Sequence, residues 1–358
     1  MTSPGITAII VNHNGGTEIV RAVRELDRQD GLVDAILVVD NGSTDQSPEA
    51  AQAASPKVEI IQLGENLGPA ISRNRGMEAA TTPLVLLVDD DVYVAPGCVA
   101  RLLGHLDDPR VAAVVPRLIL YPDNSLIQLD GAETHLVGSM ILNNARMEAA
   151  TTPAEVHPVG AFSTSCVLAR REVLLAAGGM DENYFIYLED QEFGLRLRAL
   201  GHKLICDARA VAYHDRGEGT PDLSFRDVGE YPRRRAYLTM RNRWQTIFIH
   251  YQPRTLVLLA PALLLYELAS VAMAARKGWL DLWWEAWTWQ WQNRKSLRDR
   301  RRFVAGNRRR SEAKSLVGGP LPLAPGLVGP GLEARAVAAL TAVISGYGRL
   351  VRPLLPKK

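Results

Sequence analysis

The stretch Leu86-Leu87-Val88-Asp89-Asp90-Asp91-Val92-Tyr93 sets three adjacent carboxylates at the end of an apolar, strand-like run. Packing carboxylates this closely costs free energy unless a cation neutralises them. A hard divalent ion with oxygen ligands is the natural partner, and Mg²⁺ in such sites is usually shared with substrate phosphates. The alternative interpretation is a solvated acidic turn after a buried strand. The sequence on either side of the triplet decides between the two.

The run before the triplet is the fourth of four strand-like segments that alternate with helix-like ones. These segments are 6–11, 35–39, 58–63 and 84–88. Residues 17–29 and 68–80 have the spacing of apolar residues that is typical of helices. Strands separated by helices predict a Rossmann-like α/β fold with a mostly parallel sheet and helices on both faces.

Polar clusters follow three of these strands, at 12–16, 40–45 and 89–91. In parallel sheets, ligands bind beyond the carboxyl ends of the strands, so the three clusters are predicted to meet at one edge. The first turn reads Asn12-His13-Asn14-Gly15-Gly16, which is not GxGxxG, and GxxxxGK[ST] occurs nowhere. A dinucleotide fold of the dehydrogenase type is therefore disfavoured, and a metal on the triplet is the predicted means of holding phosphates.

The composition limits the classes of protein to which this chain can belong. Its 358 residues suit two domains, predicted at 1–225 and 226–358, and its formal net charge of +2 argues against nucleic-acid binding through bulk charge. The three cysteines Cys98, Cys166 and Cys206 are far apart and form neither a disulfide framework nor a CxxC pair. The N-terminus does not have the pattern of a signal peptide. A cytoplasmic protein is predicted.

Six motifs occur in an order that resembles the family 2 inverting glycosyltransferases of the GT-A fold. They are Ile9-Ile10-Val11-Asn12-His13-Asn14, Val38-Val39-Asp40-Asn41-Gly42-Ser43-Thr44-Asp45, Asn66-Leu67-Gly68-Pro69-Ala70, Arg73-Asn74, Asp89-Asp90-Asp91 and Glu189-Asp190-Gln191-Glu192. The resemblance spans roughly residues 6 to 216. The chain looks most like the bacterial rhamnosyltransferase-type members that build cell-surface glycans.

The resemblance implies a role for each matching position. Asp40 would contact the nucleobase, which Val11 and Asn12 would flank. The other donor-binding residues would be Asn66, Arg73, Asp89 and Asp90, with Arg73 supporting the base or the diphosphate. Mg²⁺ or Mn²⁺ would be held by Asp89, Asp91 and His214. The alternatives are that Asp40 caps a helix, that Arg73 is a surface cation, and that His214 is structural.

Asp190 is predicted to be the catalytic residue. It falls at the start of a helix over 191–200, where the positive helix end and a nearby metal would keep it ionised at neutral pH. An ionised carboxylate within reach of a sugar hydroxyl can act as a general base, and the family's base matches this position. The alternative is that Glu189 or Asp190 only caps the helix.

The C-terminal third is predicted to be mainly helical and to associate with a membrane. An apolar run over 255–275 is long enough to span a bilayer, although Pro261 and Glu267 interrupt it. Six of the seven tryptophans lie in 279–291, with Trp279, Trp283, Trp287 and Trp291 spaced four apart, and a basic stretch covers 294–310. The sequence leaves three alternatives open: an in-plane anchor on an anionic membrane surface, a short transmembrane or re-entrant hairpin, and a soluble packing or dimer surface. A Gly/Pro-rich segment near 318–330 is predicted to be flexible.

Taken together, the sequence predicts a metal-dependent inverting glycosyltransferase at the inner face of the cell membrane. The donor would be a nucleotide-diphosphate sugar (dTDP-rhamnose or a UDP-sugar), and the acceptor a lipid-linked or polysaccharide glycan. Arg243-Trp244 is similar to the QxxRW motif of processive synthases, but Met240 stands in place of the glutamine, which favours one sugar per event. The alternatives are a sugar nucleotidyltransferase, which usually needs a basic first loop, and a non-catalytic nucleotide-sugar-binding subunit of a membrane complex.

Overall fold

The computed structural model describes residues 4–216, 222–225, 229–323 and 327–356. Its contacts divide the chain into two compact units. The first unit consists of Met1–Ala132, Leu142–Leu197 and His202–Gly217, and the second of Glu133–Ile141, Arg198–Gly201 and Glu218–Lys358. The predicted boundary at 225/226 stays a proposal, and residues 226–228 lie outside the described part of the chain.

The secondary-structure elements are numbered here in chain order. The strands are β1 (Ile6–Asn12), β2 (Val33–Asp40), β3 (Val58–Gln62), β4 (Leu84–Asp89), β5 (Val92–Val94), β6 (Val111–Tyr121), β7 (Ile127–Leu129), β8 (Ala132–His135), β9 (Met140–Leu142), β10 (Val156–Pro158), β11 (Cys166–Arg170), β12 (Lys203–Asp215) and β13 (Leu316–Val317). The helices are α1 (Glu18–Asp27), α2 (Ser47–Ala54), α3 (Pro69–Ala79), α4 (Cys98–Leu103), α5 (Arg171–Ala176), α6 (Glu189–Ala199), α7 (Arg233–His250), α8 (Pro253–Lys277), α9 (Leu280–Gln292), α10 (Arg294–Asn307) and α11 (Leu332–Val351).

The first unit is built on one large sheet in the order β10-β12-β6-β11-β4-β1-β2-β3. The four strands from β4 to β3 are parallel, β12 is parallel to β6, and β11 runs antiparallel between β4 and β6. All seven residues of β1 are buried, as expected for a central parallel strand that is covered on both faces. Ile19, Val23 and Leu26 of α1 join the core cluster on this sheet. The predicted α/β class with a GT-A-like sheet is confirmed.

A buried ion pair stabilises the segment between β6 and β10. Arg117 donates to both carboxylate oxygens of Asp130, at 2.8 and 2.7 Å, and to the carbonyl oxygens of Thr152 and Pro153. Both charged side chains are almost fully buried. Removing one partner of such a pair leaves an uncompensated buried charge, which is far more destabilising than losing an exposed pair.

Arg117→Met is expected to lower the free energy of unfolding by about 3–5 kcal/mol, because Asp130 loses its counter-ion in the interior. Urea denaturation followed by circular dichroism measures the change. The matched control is Arg110→Gln, which breaks the exposed pair with Asp108 and is expected to have little effect. Equal effects of the two substitutions would show that the buried pair is not the stabilising feature.

The second unit is mainly helical, as predicted. Its core includes Ile247, Tyr251, Leu259 and Ile344, contributed by α7, α8, α11 and the turn after α7. Among the described residues, α8 is the one helix long and apolar enough to cross a membrane, by length and composition. Only 17% of its most apolar window is buried inside the unit. In the Gly/Pro-rich segment, Leu321 is buried, and residues 324–326 lie outside the described chain.

Glu267, which interrupts the apolar run of α8, accepts hydrogen bonds inside the second unit. The indole nitrogens of Trp244 and Trp283 donate to it at 2.9 and 2.6 Å, and Arg243 forms an ion pair with it. Trp279 is buried, and the ring of Trp287 packs against that of Trp244 with the centroids 4.7 Å apart. Three of the four tryptophans spaced four apart therefore pack inside the unit, because a polar acceptor and aromatic partners are available there. The predicted Trp stripe is in this respect a packing feature.

Candidate active site

The carboxyl ends of β1, β2 and β4 lie side by side. In the sheet register Asn12 pairs with Asp40, and Val11 pairs with Asp89. The structure thus brings four of the predicted donor-site residues to one edge. Two loops that leave this edge are tied together, since the Asn41 side chain donates to Asn66 Oδ1 at 2.9 Å and accepts from the amide of Leu67.

The side chains of Asn12 and Asp40 form a buried network. Asn12 Nδ2 donates to Asp40 Oδ1 at 3.0 Å and also contacts the hydroxyls of Ser43 and Ser47. The other oxygen of Asp40 accepts from the amide of Ser43 at 3.3 Å. Asp40 does not cap a helix, because α2 begins at Ser47, and the backbone amide of Ser47 donates a hydrogen bond to Asp45 Oδ1. Asp40 therefore fixes the loop after β2 at the candidate site.

Arg73 lies on α3 and is 4% exposed, so the surface-cation interpretation of this residue is wrong. Its guanidinium contacts Asp89 at 2.5 Å and Glu189 at 3.6 Å. Burial acts to raise the pKa of Asp89, but Arg73 and His214 outweigh this and lower it. Arg73 therefore joins the acidic triplet electrostatically to the start of α6.

Asp89, Asp91 and His214 form the candidate metal site. One ligand atom from each residue lies within 4.8 Å of the others, and His214 Nε2 is 3.1 Å from Asp91 Oδ1. The pairing of β5 with β12 sets His214 opposite Val92, directly after the triplet. His214 Nδ1 is buried without a hydrogen-bond partner among the described atoms. Two carboxylate oxygens and an imidazole nitrogen fit a divalent cation.

The charges of the two carboxylates affect the pKa of the third candidate metal ligand, His214. Burial acts to lower the pKa of His214, but Asp91 and Asp89 outweigh it and raise the pKa. The two carboxylates therefore favour the protonated form of His214, and a bound cation would replace that proton, since metal ligands must be deprotonated.

Asp90 faces the first loop. It accepts a hydrogen bond from the amide of His13 at 3.2 Å, and a Cβ at Gly15 would come within 2.7 Å of its carboxylate. Burial and the charges of its two neighbours raise its pKa well above the ordinary value. Asp90 therefore holds the loop after β1, and its predicted contact with the donor stays a prediction.

Asp190 lies in the first turn of α6. Its Oδ1 accepts a hydrogen bond from the amide of Gln191 at 2.7 Å. Asp190 therefore also satisfies a backbone N–H in the first turn of the helix. Burial raises its pKa to about 6, although the Gln191 amide and Arg73 act in the opposite direction. Burial and the charge of Asp190 also raise the pKa of the neighbouring Glu189. Both carboxyls therefore have pKa values above their ordinary ones, Glu189 at about 8 and Asp190 at about 6. That Asp190 is ionised and acts as the base stays a prediction.

The loop before α6 is a feature that the sequence did not reveal. Phe185, Tyr187 and Leu188 all have φ between 63° and 71°, in the left-handed region. Each such residue costs on the order of 1–3 kcal/mol, and such residues cluster at functional sites. Phe185 packs against Gly68 of the loop before α3, where a Cβ would come within 2.7 Å of its ring. No motif signals this strain, because none of the three residues is a glycine or an asparagine.

Comparison with known proteins relates part of this chain to glycosyltransferases. Residues 7–175 match the family described as "Glycosyl transferase family 2". The chain is 29% identical over 239 residues to the N-acetylglucosaminyl-diphospho-decaprenol L-rhamnosyltransferase of Mycobacterium tuberculosis H37Rv, covering 60% of this chain and 77% of that protein. It is 30% identical over 170 residues to the succinoglycan biosynthesis protein ExoO of Rhizobium meliloti, covering 47% of this chain and 44% of that protein.

Solved structures agree on the fold. GalNAc-T7 with UDP, GalNAc and Mn²⁺ gives a TM-score of 0.58 at 16% identity, covering 76% of this chain and 52% of that one. The mannosyltransferase PcManGT of Pyrobaculum calidifontis, with GDP-Man and Mn²⁺, gives 0.51 at 19% identity and covers 86% of each chain. The family match contains β1, β2, β4 and the acidic triplet but ends before Asp190 and His214. Residues 7–175 thus form a domain similar to glycosyl transferase family 2, and the chain has the fold of the GT-A glycosyltransferases.

Proposed function

We propose that this chain is a metal-dependent, inverting glycosyltransferase that moves one sugar per event from a nucleotide-diphosphate donor to a lipid-linked or polysaccharide acceptor. The observation that carries the proposal is the grouping of Asp89, Asp91 and His214 at the sheet edge, with Arg73 connecting Asp89 electrostatically to the start of α6. This arrangement supports a proposed cation site and a proposed base within one electrostatic cluster.

In the proposed reaction Asp190 accepts the proton of an acceptor hydroxyl. The hydroxyl oxygen forms a bond to the anomeric carbon on the face opposite the diphosphate. The bond from that carbon to the diphosphate oxygen breaks, and its electron pair leaves with the diphosphate. The products are the inverted glycoside, the nucleoside diphosphate and a protonated Asp190, which releases its proton to solvent.

We propose Asp89, Asp91 and His214 as the ligands of Mg²⁺ or Mn²⁺. When bound, the ion would supply Lewis-acid stabilisation of the negative charge on the departing diphosphate. Arg73 orients Asp89 through its 2.5 Å contact and keeps this carboxylate ionised. The two related structures described with Mn²⁺ support a divalent ion.

The proposed donor site comprises the residues at the ends of β1, β2 and β4 and the loop before α3: Val11, Asn12, Asp40, Asn66, Arg73, Asp89 and Asp90. Asn12 and Asp40 are already bonded to each other, so their proposed part is to fix the wall that meets the nucleobase. The rhamnosyltransferase relative favours dTDP-rhamnose as the first donor to test, with UDP-sugars next.

We propose that the acceptor is at the inner face of the cell membrane and that residues 226–358 bring the enzyme there. The relative's name specifies a decaprenol-linked acceptor. In α8, Val257, Leu264 and Leu268 are each more than half exposed, which is costly for a surface that faces only water.

Incubation of the purified chain with Mn²⁺, a panel of nucleotide sugars and a polyprenyl-diphosphate-linked acceptor tests the proposal. Formation of a longer glycolipid with release of nucleoside diphosphate is the expected result. Release of pyrophosphate from a nucleoside triphosphate would identify a nucleotidyltransferase instead. Donor binding without transfer or hydrolysis would identify a non-catalytic subunit.

We expect kcat/KM for transfer to rise with pH through about 6, because the ionised form of Asp190 is the active one and burial raises its pKa to about 6. The protonated base is inactive, so activity is lost on the acid side. A pH–rate profile measures this, and donor affinity by calorimetry over the same range is the control. A profile that is flat through that region would contradict the assignment of the base.

A further inference from the structure

A cavity of about 320 Å³ in the second unit has no part in the proposed reaction. It lies where α9 and α10 meet α7. Its lining includes Trp287, Gln290 and Trp291 of α9 and Arg294, Arg298 and Arg301 of α10. Aromatic walls and arginines together are typical of sites for anions that also carry an organic part.

The charge around this cavity is positive and incompletely balanced. Arg294 donates to the carbonyl of Trp291 at 2.9 Å, and Arg301 donates to the carbonyl of Phe248 at 2.6 Å. The positive charge of Arg301 also favours the ionised form of the buried Glu312. Within the described parts of the chain, however, the lining contains no carboxylate, and Arg294 and Arg298 form no ion pair.

Two polar atoms at the cavity lack partners. Gln290 is 4% exposed, and its amide nitrogen donates to the carbonyl of Arg241, while Oε1 accepts no hydrogen bond from the described atoms. The indole nitrogen of Trp287 is buried without an acceptor in the same part of the chain. Buried groups left unpaired in this way cost free energy, which a ligand with a hydroxyl and an anionic oxygen would recover.

We propose that this cavity binds the phosphate-bearing headgroup of an anionic phospholipid at the membrane surface. A phosphate oxygen would pair with Arg294 and Arg298, and a headgroup hydroxyl would donate to Gln290. A lipid is favoured over a soluble phosphate because Trp291 and Trp284 on the same helix are 70% and 69% exposed. Indole rings prefer the headgroup region of a bilayer. The inference does not rest on the transferase activity.

Co-sedimentation of the full chain with vesicles tests this site. Vesicles of phosphatidylcholine with phosphatidylglycerol are compared with vesicles of phosphatidylcholine alone. Arg298→Gln is expected to weaken binding to the anionic vesicles at least about fivefold more than Arg302→Gln. The two substitutions remove the same charge from the same helix, but Arg302 is exposed, pairs with Asp299 and does not line the cavity.

A second pair of variants leaves the charge unchanged. Trp287→Phe keeps an aromatic side chain and removes the N–H donor, so it is expected to weaken binding to anionic vesicles about tenfold. Trp284→Phe removes an exposed indole that does not line the cavity, so its loss of binding is expected to be several-fold smaller. Circular dichroism and thermal unfolding confirm that each variant is folded.

Three outcomes would overturn the proposal. Equal losses for Arg298→Gln and Arg302→Gln would mean that diffuse charge, and not the cavity, attracts the vesicles. An equal affinity of the unmodified chain for both kinds of vesicle would exclude an anionic headgroup. Calorimetric binding of inorganic phosphate that depends on Arg298, together with no preference for anionic vesicles, would assign the cavity to a soluble anion.

Discussion

Asp190→Asn is expected to lower the turnover number by roughly 10²–10⁴-fold and to leave donor binding nearly unchanged. Asparagine has almost the same shape and can still accept the hydrogen bond from the Gln191 amide, but it cannot take a proton from the acceptor hydroxyl. Single-turnover transfer assays measure the loss, and calorimetry with the nucleotide sugar measures donor affinity. Wild-type-like turnover by the purified variant would refute the assignment of Asp190 as the base.

Glu189→Gln is the matched control for this substitution. Glu189 is adjacent in sequence and buried, and burial raises its pKa to about 8, so glutamine resembles the protonated form that burial favours. It is expected to cost far less turnover than Asp190→Asn. A larger loss of turnover for Glu189→Gln would identify Glu189, and not Asp190, as the base.

Stability separates a chemical effect from a folding defect. The folded-state pKa of Asp190 is about 6, against an ordinary value of 3.8, so the folded protein binds this proton more tightly than the unfolded chain does. The resulting contribution to stability is complete below the unfolded pKa and is lost as the pH rises through about 6. At neutral pH the buried charge therefore opposes folding, and Asp190→Asn is expected to leave Tm unchanged or higher.

Much of the fold follows from local patterns. Apolar runs ending in polar turns gave the four parallel strands, because strands that are buried on both faces have near-continuous apolar sequences. The convergence of Asn12, Asp40 and Asp89 then follows from the geometry of a parallel sheet, in which adjacent carboxyl ends share one edge. Neither step requires knowledge of distant contacts.

The contacts of Arg73 could not be read from the sequence in the same way. The distances from Arg73 to Asp89 and Glu189 depend on how α3 and α6 pack. The sequence shows that these residues are charged but not that Arg73 lies 2.5 Å from Asp89. The C-terminal tryptophans show the same limit. Their spacing identified a helix but could not show that Glu267, on another helix, accepts the indole hydrogen bond of Trp283.

Arg73 has a further consequence for the proposed site. It is buried, and it contacts a carboxylate of the metal group and a carboxyl next to the base, so one cation holds two halves of the site together. Buried charges of this kind are stable only while their partners remain ionised or hydrogen-bonded. The metal group and the base are therefore coupled electrostatically. Removing a charge from one of them changes the electrostatic potential at the other.

Asp91→Asn is expected to reduce Mn²⁺ affinity and sugar transfer by about 100-fold or more, since even the partners of metal ligands cost about 10–100-fold when removed. An amide is a weaker ligand than a carboxylate, and the attraction that Asp91 exerts on His214 is lost as well. Calorimetric titration with Mn²⁺ measures the affinity in the absence of any donor. Addition of EDTA to the unmodified enzyme is expected to abolish transfer in parallel.

Asp90→Asn provides the decisive comparison, because it changes the adjacent residue of the same triplet. The substituted amide keeps an oxygen that can accept the hydrogen bond from the His13 amide, and Asp90 is not one of the three residues whose ligand atoms lie within 4.8 Å of each other. The metal affinity of this variant is expected to stay within a few-fold of the unmodified enzyme. If both variants lost Mn²⁺ equally, the triplet would act only as a diffuse negative charge, and the assignment of Asp89, Asp91 and His214 as a defined site would fail. If Asp91→Asn alone lost it, Asp89 and Asp91 would act as ligands, while Asp90 would hold the loop after β1 through the His13 amide.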